Sequence, residues 1–170
     1  MTEAIVLVGA PAVGKSTVGH ALARLLGIQF TDVDSLIEQR EQRTIPEIFA
    51  ADGEPGFRAV ELEATLAALS SGGVVALGGG AVTNPAVRSA LAGHRVVWLR
   101  ASLQSAVRRV GESTNRPLLT GDVAGQWAKL LAERAHWYAE VATVVVDTDR
   151  HTPNQIAHTV ISELNLQAAR

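Results

Sequence analysis

Ile5-Val-Leu-Val8 runs directly into Gly9-Ala-Pro-Ala-Val-Gly14-Lys15-Ser16-Thr17, and a stretch with helical spacing follows. No other feature constrains the fold as much. The pattern Gly-x-x-x-x-Gly-Lys-Ser/Thr between a strand and a helix cradles phosphates. Glycines let backbone N–H groups converge on phosphate oxygens, and the helix N-terminus adds its positive dipole end. Lys15 is placed to reach the β- and γ-phosphates, and the Ser16 hydroxyl to ligate Mg²⁺. Gly9, Ala12, Val13, Gly14, Lys15, Ser16 and Thr17 are therefore the candidate nucleotide contacts. The motif leaves the phosphoryl acceptor open.

The same pattern of apolar run and helix continues along the chain. Strands are expected at 5–8, 29–33, 74–77, 95–99 and 144–146. Helices are expected at 15–26, 35–43, 45–51, 56–69, 85–91, 103–110, 124–141 and 153–164. Short, continuously apolar strands that alternate with helices predict a parallel α/β sheet covered on both faces. At 170 residues the chain is one domain, 1–170. Two stretches fit the alternation poorly and are candidate mobile elements: the extra helices between the second and third strands, and the polar, glycine-flanked segment Gly111–Gly121.

Composition narrows the function further. A net charge of −2 gives no broad footprint for nucleic acid or a membrane surface. The absence of cysteine excludes disulfides, thiolate catalysis and Cys-ligated zinc. The five histidines show no metal-ligand spacing. Met1-Thr-Glu-Ala-Ile has no basic region before its brief apolar stretch, so no signal peptide is expected. Ala64–Val87 is uncharged and long enough to span a bilayer, but its glycines, Asn84 and Pro85 make it a helix end, a buried strand and a loop. A cytoplasmic monomer with small-molecule substrates is the expectation.

Acceptor chemistry has several candidates, each with a plainer alternative. Asp32-Val-Asp34 falls at the expected C-terminal end of the second strand, where ligands of open parallel sheets bind. Residues two apart on a strand share a face, so both carboxylates could enter one cleft, Asp32 for metal and Asp34 as base. Alternatively, Asp34 caps the next helix. Arg58 and Glu61 share a helical face. They are either an oriented carboxylate receptor or a solvated ion pair. Gly78-Gly79-Gly80 permits close backbone approach to a ligand, or is a plain turn. Arg116 lies between Gly111 and Gly121, where a closing flap could carry its charge to the migrating phosphoryl group; the alternative is an exposed loop arginine. Arg134, mid-helix, could reach the cleft or be solvated. Trp127, Trp137 and Tyr138 read as packing residues. Asp147, after Val144-Val-Val146, reads as a turn or cap in preference to a metal ligand.

Together, the phosphate loop, Asp32-x-Asp34, the Gly53–Arg58 segment, the triple glycine, Arg116-Pro-Leu-Leu119 and Glu133-Arg134 followed by Tyr138 resemble, in order, the shikimate kinases. These are small members of the nucleoside-monophosphate-kinase-like P-loop group. The resemblance runs from about Ile5 to Leu164. It implies a five-stranded parallel sheet with a mobile substrate-binding segment at about 34–61 and a lid at about 111–122. It implies transfer of the ATP γ-phosphoryl group to the 3-hydroxyl of shikimate, with ATP and Mg²⁺. By resemblance, Asp34 contacts substrate hydroxyls, Arg58, Gly80 and Arg134 hold the substrate and its carboxylate, and Glu61 supports them. Arg116 contacts ATP phosphates, and Arg109 with the Thr152-Pro153 turn borders the adenine. Ser16 serves Mg²⁺ directly and Asp32 through water. Gly79 and Gly80 occupy the Walker B region.

Ala12-Val13 departs from the family's pattern, which has a small residue or glycine before a small one. Val13 is β-branched and disfavours positive φ, so the loop either keeps negative φ there or is adjusted. Two rival readings accompany the shikimate kinase one: a gluconate-type metabolite kinase on the same scaffold, and a catalytically silent nucleotide-binding regulator. A GTPase is less well supported, because no Asn-Lys-x-Asp signature is present.

Overall fold

The computed structural model describes residues 2–111 and 122–170, with the backbone alone at 109–111. Five strands form one parallel sheet: β1 (Ala4–Val8), β2 (Phe30–Asp32), β3 (Gly73–Ala76), β4 (Arg95–Arg100) and β5 (Val144–Asp147). Their order is β2-β3-β1-β4-β5. The register pairs Val6 with Val75 on one side and with Val96 on the other. Side chains alternate across the pleat, so β1 supplies both cores. Ile5 and Leu7 pack with α1 (Lys15–Leu26) and α7 (Pro153–Glu163). Ala4, Val6 and Val8 pack with α2 (Val33–Glu41), α3 (Ile45–Ser71) and α4 (Pro85–Ala90). α5 (Leu103–Gly111) joins the first core through Ala106.

α6 (Val123–Val141) belongs to both faces: Trp127 lies in the first core and Tyr138 in the second. It therefore passes across one end of the sheet. Three segments converge at the C-terminal strand ends: the phosphate loop after β1, Asp32 at the end of β2, and the triple glycine after β3. That is where open parallel sheets bind ligands.

The expected elements are present, with two corrections. Helices expected at 45–51 and 56–69 form one run, α3, broken by Gly53 at φ 70° and ψ 179° with Pro55 just beyond. Thr44 and Glu47 make the capping box that starts it. Second, α2 begins at Val33, not at Ser35, and its cap is Asp32, whose carboxylate accepts from the Ser35 N–H at 3.2 Å. Asp34 is thus neither on the strand nor the cap; it lies in the first helical turn. Gly27 ends α1 at φ 67°, as expected. Among the described residues, no helix is long and apolar enough to cross a membrane.

Candidate active site

The phosphate loop wraps a cavity of about 310 Å³. Gly14 precedes α1 at φ 95°, a conformation that disfavours any side chain, and gives the helix no side-chain cap. The N–H groups of that first turn are therefore left for a ligand. Gly9 supports the loop from behind, since a Cβ there would stand 2.5 Å from the Leu99 carbonyl oxygen. The departure at 12–13 has a simple outcome. Ala12, at φ 66°, takes the left-handed position, while Val13 keeps negative φ and buries its side chain in the first core. Lys15 Nζ bonds back to the loop, donating to the carbonyl oxygens of Gly9 at 2.8 Å and Ala10 at 3.0 Å. Ser16 Oγ donates to the Asp32 carboxylate.

Of the expected site residues, Ala12, Gly14, Lys15, Ser16, Thr17, Asp32, Asp34, Arg58, Glu61, Gly79, Gly80 and Arg134 all line this one cavity. The two aspartates do reach one cleft, but by a route other than strand alternation: one ends β2 and caps α2, and the other is carried round by the first turn of α2. Pro153 borders a second, more open depression that shares Ser16 and Thr17 with the cleft. Arg116, the side chain of Arg109 and nearly all of the expected lid lie outside the described residues.

Opposite the phosphate loop stands a wall of paired charges. Arg58 donates from Nη1 to Glu61 Oε1 at 2.8 Å and from Nη2 to Glu54 Oε1 at 3.2 Å. Glu61 is only 2% exposed, so this is not a solvated ion pair. Burial raises the Glu61 carboxyl above its ordinary value, and Arg58 opposes the rise. Nearby Asp34 adds to the rise, and Arg134 weakly offsets it. Glu61 Oε2 has no hydrogen-bond partner among the described residues. Arg134 is likewise buried, at 5% exposure, and lines the cavity instead of meeting solvent.

The triple glycine has a packing explanation at each position. A Cβ on Gly78 would sit 2.7 Å from Glu61 Oε2 and 3.0 Å from Asp34 Oδ1. One on Gly79 would sit 2.9 Å from Pro11 Cδ, and one on Gly80 would strike the Arg58 guanidinium. None of the three has positive φ. Close approach by neighbouring side chains, not a special backbone conformation, makes them glycine.

Sequence reasoning missed several contributors. Phe49 and Phe57, with ring centroids 4.7 Å apart, give the cavity an aromatic wall with Ile45. Their sequence signal is that of any core residue on an amphipathic helix. Trp127 Nε1 donates to the Pro11 carbonyl at 2.7 Å, and Tyr138 Oη donates to the Gly79 carbonyl. Both had read as packing alone. Asp147 does not line the cavity; it is neither the turn nor the cap expected but the last residue of β5, paired across the sheet with Arg100 at 2.9 Å. Among the described residues no group of three or more His, Asp or Glu side chains is placed to hold a metal by itself. Any cation here would need phosphate oxygens or water to complete its shell.

Residues 11–165 match the shikimate kinase family. A shikimate kinase of Mycobacterium avium is 51% identical over 166 residues, spanning 96% of this chain and 94% of that protein. The solved structure of Acinetobacter baumannii shikimate kinase in complex with shikimate superposes with a TM-score of 0.92 at 36% identity, covering 97% of this chain and 94% of the other. A gluconokinase from Sinorhizobium meliloti reaches a TM-score of 0.61 at 22% identity, with 96% and 91% covered, a likeness of fold alone. With half its residues shared with a shikimate kinase over almost its whole length, this chain belongs to the shikimate kinase family.

Proposed function

We propose that the cleft carries out its family's reaction, transfer of the ATP γ-phosphoryl group to the 3-hydroxyl of shikimate, with the following division of roles. Gly9, Ala12, Val13, Gly14 and Thr17 shape and line the phosphate cradle. Lys15 leaves its carbonyl contacts to bind the β- and γ-phosphates. Asp34, beside the triple glycine, accepts the proton of the attacking hydroxyl as the new O–P bond forms and the bond to the bridging oxygen breaks. Arg58 and Arg134 hold the acceptor's carboxylate, since a planar guanidinium offers it paired donors. Glu61 holds Arg58, and Gly79 and Gly80 form the floor between. On the lid, Arg116 neutralises the migrating group, and Arg109 with Pro153 borders the adenine.

The oxygen donors of Ser16 and Asp32 fit Mg²⁺, a hard cation that completes its shell with phosphate oxygens and water. Ser16 would bind it directly and Asp32 through water. When bound it would neutralise phosphate charge. Catalysis by the protein is mostly positioning and electrostatic stabilisation. The reading includes a single kinase domain that works as a cytoplasmic monomer on small-molecule substrates.

One observation carries the proposal. A phosphate loop, the half-buried Arg58 guanidinium, the buried Arg134 guanidinium and Asp34 all line a single cavity. An anionic, hydroxylated acceptor fits that arrangement. A coupled ADP-release assay with Mg²⁺-ATP tests it, using shikimate against gluconate and related hydroxy acids. Turnover stimulated by shikimate above all others is expected. Preference for gluconate, or ATP binding with no acceptor-dependent turnover, would overturn it.

A further inference from the structure

Tyr138 is 0% exposed and lies among the apolar residues of the second core, its ring 5.7 Å from that of Trp98. Phenylalanine would satisfy that packing, so the hydroxyl group needs its own reason. It donates to the carbonyl of Gly79, a residue outside helix and strand whose backbone the sheet does not pair. The Arg134 guanidinium, one helical turn earlier on α6, lies against the same phenol oxygen. One buried oxygen therefore ties the floor of the acceptor site to a group that grips the acceptor.

The tie continues to the donor side. Gly79 packs so closely on Pro11 that a Cβ would fall 2.9 Å from its ring. Pro11 in turn accepts from Trp127 Nε1 at 2.7 Å. Trp127 precedes Tyr138 by eleven residues, about three helical turns and some ~16 Å along the same face of α6. The circuit closes: α6 to phosphate loop, phosphate loop to triple glycine, triple glycine to α6. Burial pushes the Tyr138 hydroxyl up to about 12 even with Arg134 opposing, so it remains a donor at any pH where the enzyme works.

We propose that Tyr138 is a positioning residue for phosphotransfer, its hydroxyl setting the Gly79 carbonyl and the Arg134 guanidinium in one arrangement that presents the acceptor to the phosphate loop. This rests on the reading of the cleft given above. Without the hydroxyl, a half-buried carbonyl loses its donor and the strip relaxes away from the acceptor. The loss falls on the acceptor, because the phosphate loop keeps its own bond to Trp127.

Tyr138→Phe tests it, with steady-state kinetics in both substrates, shikimate titration by calorimetry and a thermal melt. The expected result is a KM and Kd for shikimate raised about tenfold, the scale of one lost buried hydrogen bond. The KM for ATP should move less than about twofold by the same reasoning. Val160→Ala, in α7 on the opposite face and 0% exposed, lowers stability by cavity formation without touching the cleft. It should leave both KM values as they are. Unchanged shikimate affinity in Tyr138→Phe, equal rises in both KM values, or the same pattern in Val160→Ala would overturn the proposal. So would failure of Tyr138→Phe to fold, which would make the hydroxyl structural. Wild-type turnover is measured first: absence of shikimate turnover there defeats the reading of the reaction, whereas a change confined to the variant bears on Tyr138 alone.

Discussion

The two sides of the cleft are built differently. The phosphate loop is nine consecutive residues, Gly9–Thr17, whose ligand groups are mostly backbone and whose shape follows chiefly from local conformations, with Trp127 as a distant tie. The wall opposite, which is proposed to hold the acceptor, is gathered from α2, α3, the segment after β3 and α6, and its parts lean on one another. Arg58 needs Glu61, Gly80 needs to be small because of Arg58, and Gly79 is held by Tyr138, 59 residues away. A loop of the first kind is written in one place in the chain. A wall of the second kind exists only after the sheet has brought its pieces together.

If the loop is self-contained, damage to it should stay there. Lys15→Ala is expected to lower kcat by about 10²–10³, the scale of losing a preorganised charge on a transferring group. The shikimate Kd without nucleotide should be unchanged by calorimetry. A large loss of shikimate affinity would show that the two sides are not separable.

The wall should respond to pH. The Glu61 carboxyl titrates above its ordinary value of 4.5 in the folded state because it is buried. Between that value and the raised one, the folded protein keeps a proton that the unfolded chain gives up. Stability therefore falls as pH rises through the window and is level on either side. Glu61→Gln removes the effect. The melting temperature of the variant relative to wild type should climb from pH 4 upward and then level off. A difference constant with pH would mean that the carboxyl is not raised.

The smallest effect is expected at Ala12. Glycine there would relieve about 1–2 kcal/mol of left-handed strain. It would add about 0.4–1 kcal/mol of unfolded-state entropy and lose about 0.8 kcal/mol of buried methyl. These nearly cancel, so Ala12→Gly should move Tm by less than about 2 °C. A larger shift would mean that the loop's conformation carries more strain than its local geometry implies.

The same contrast explains what could be read in advance. The phosphate loop, the five strands and the alternation of elements are local patterns, and the chain states them directly. Asp32 stands at the end of the second strand as expected, whereas Asp34 reaches the cleft from the first turn of α2 and not from the strand. Two aspartates two apart are equally good helix caps, and only tertiary packing decides which residue starts α2. The triple glycine was legible as a place of close approach. That the approaching groups are Pro11, Arg58 and a pair of carboxylates was not. Tyr138 read as core, and its ring is core; a hydroxyl group's partner 59 residues away leaves no trace in spacing. Phe49 and Phe57 carry no mark that separates a cavity wall from a packed interior.

At three successive positions, Gly78 to Gly80, an added methyl group would come within 3.0 Å of a neighbouring side chain. Mutational drift is therefore narrowed along the floor, because any side chain gained there must displace a neighbour. A lineage of this enzyme seeking another acid to phosphorylate has more room to begin at Phe49, which lines the cavity and is only partly buried, than at Ile45 or Phe57, which belong to the core.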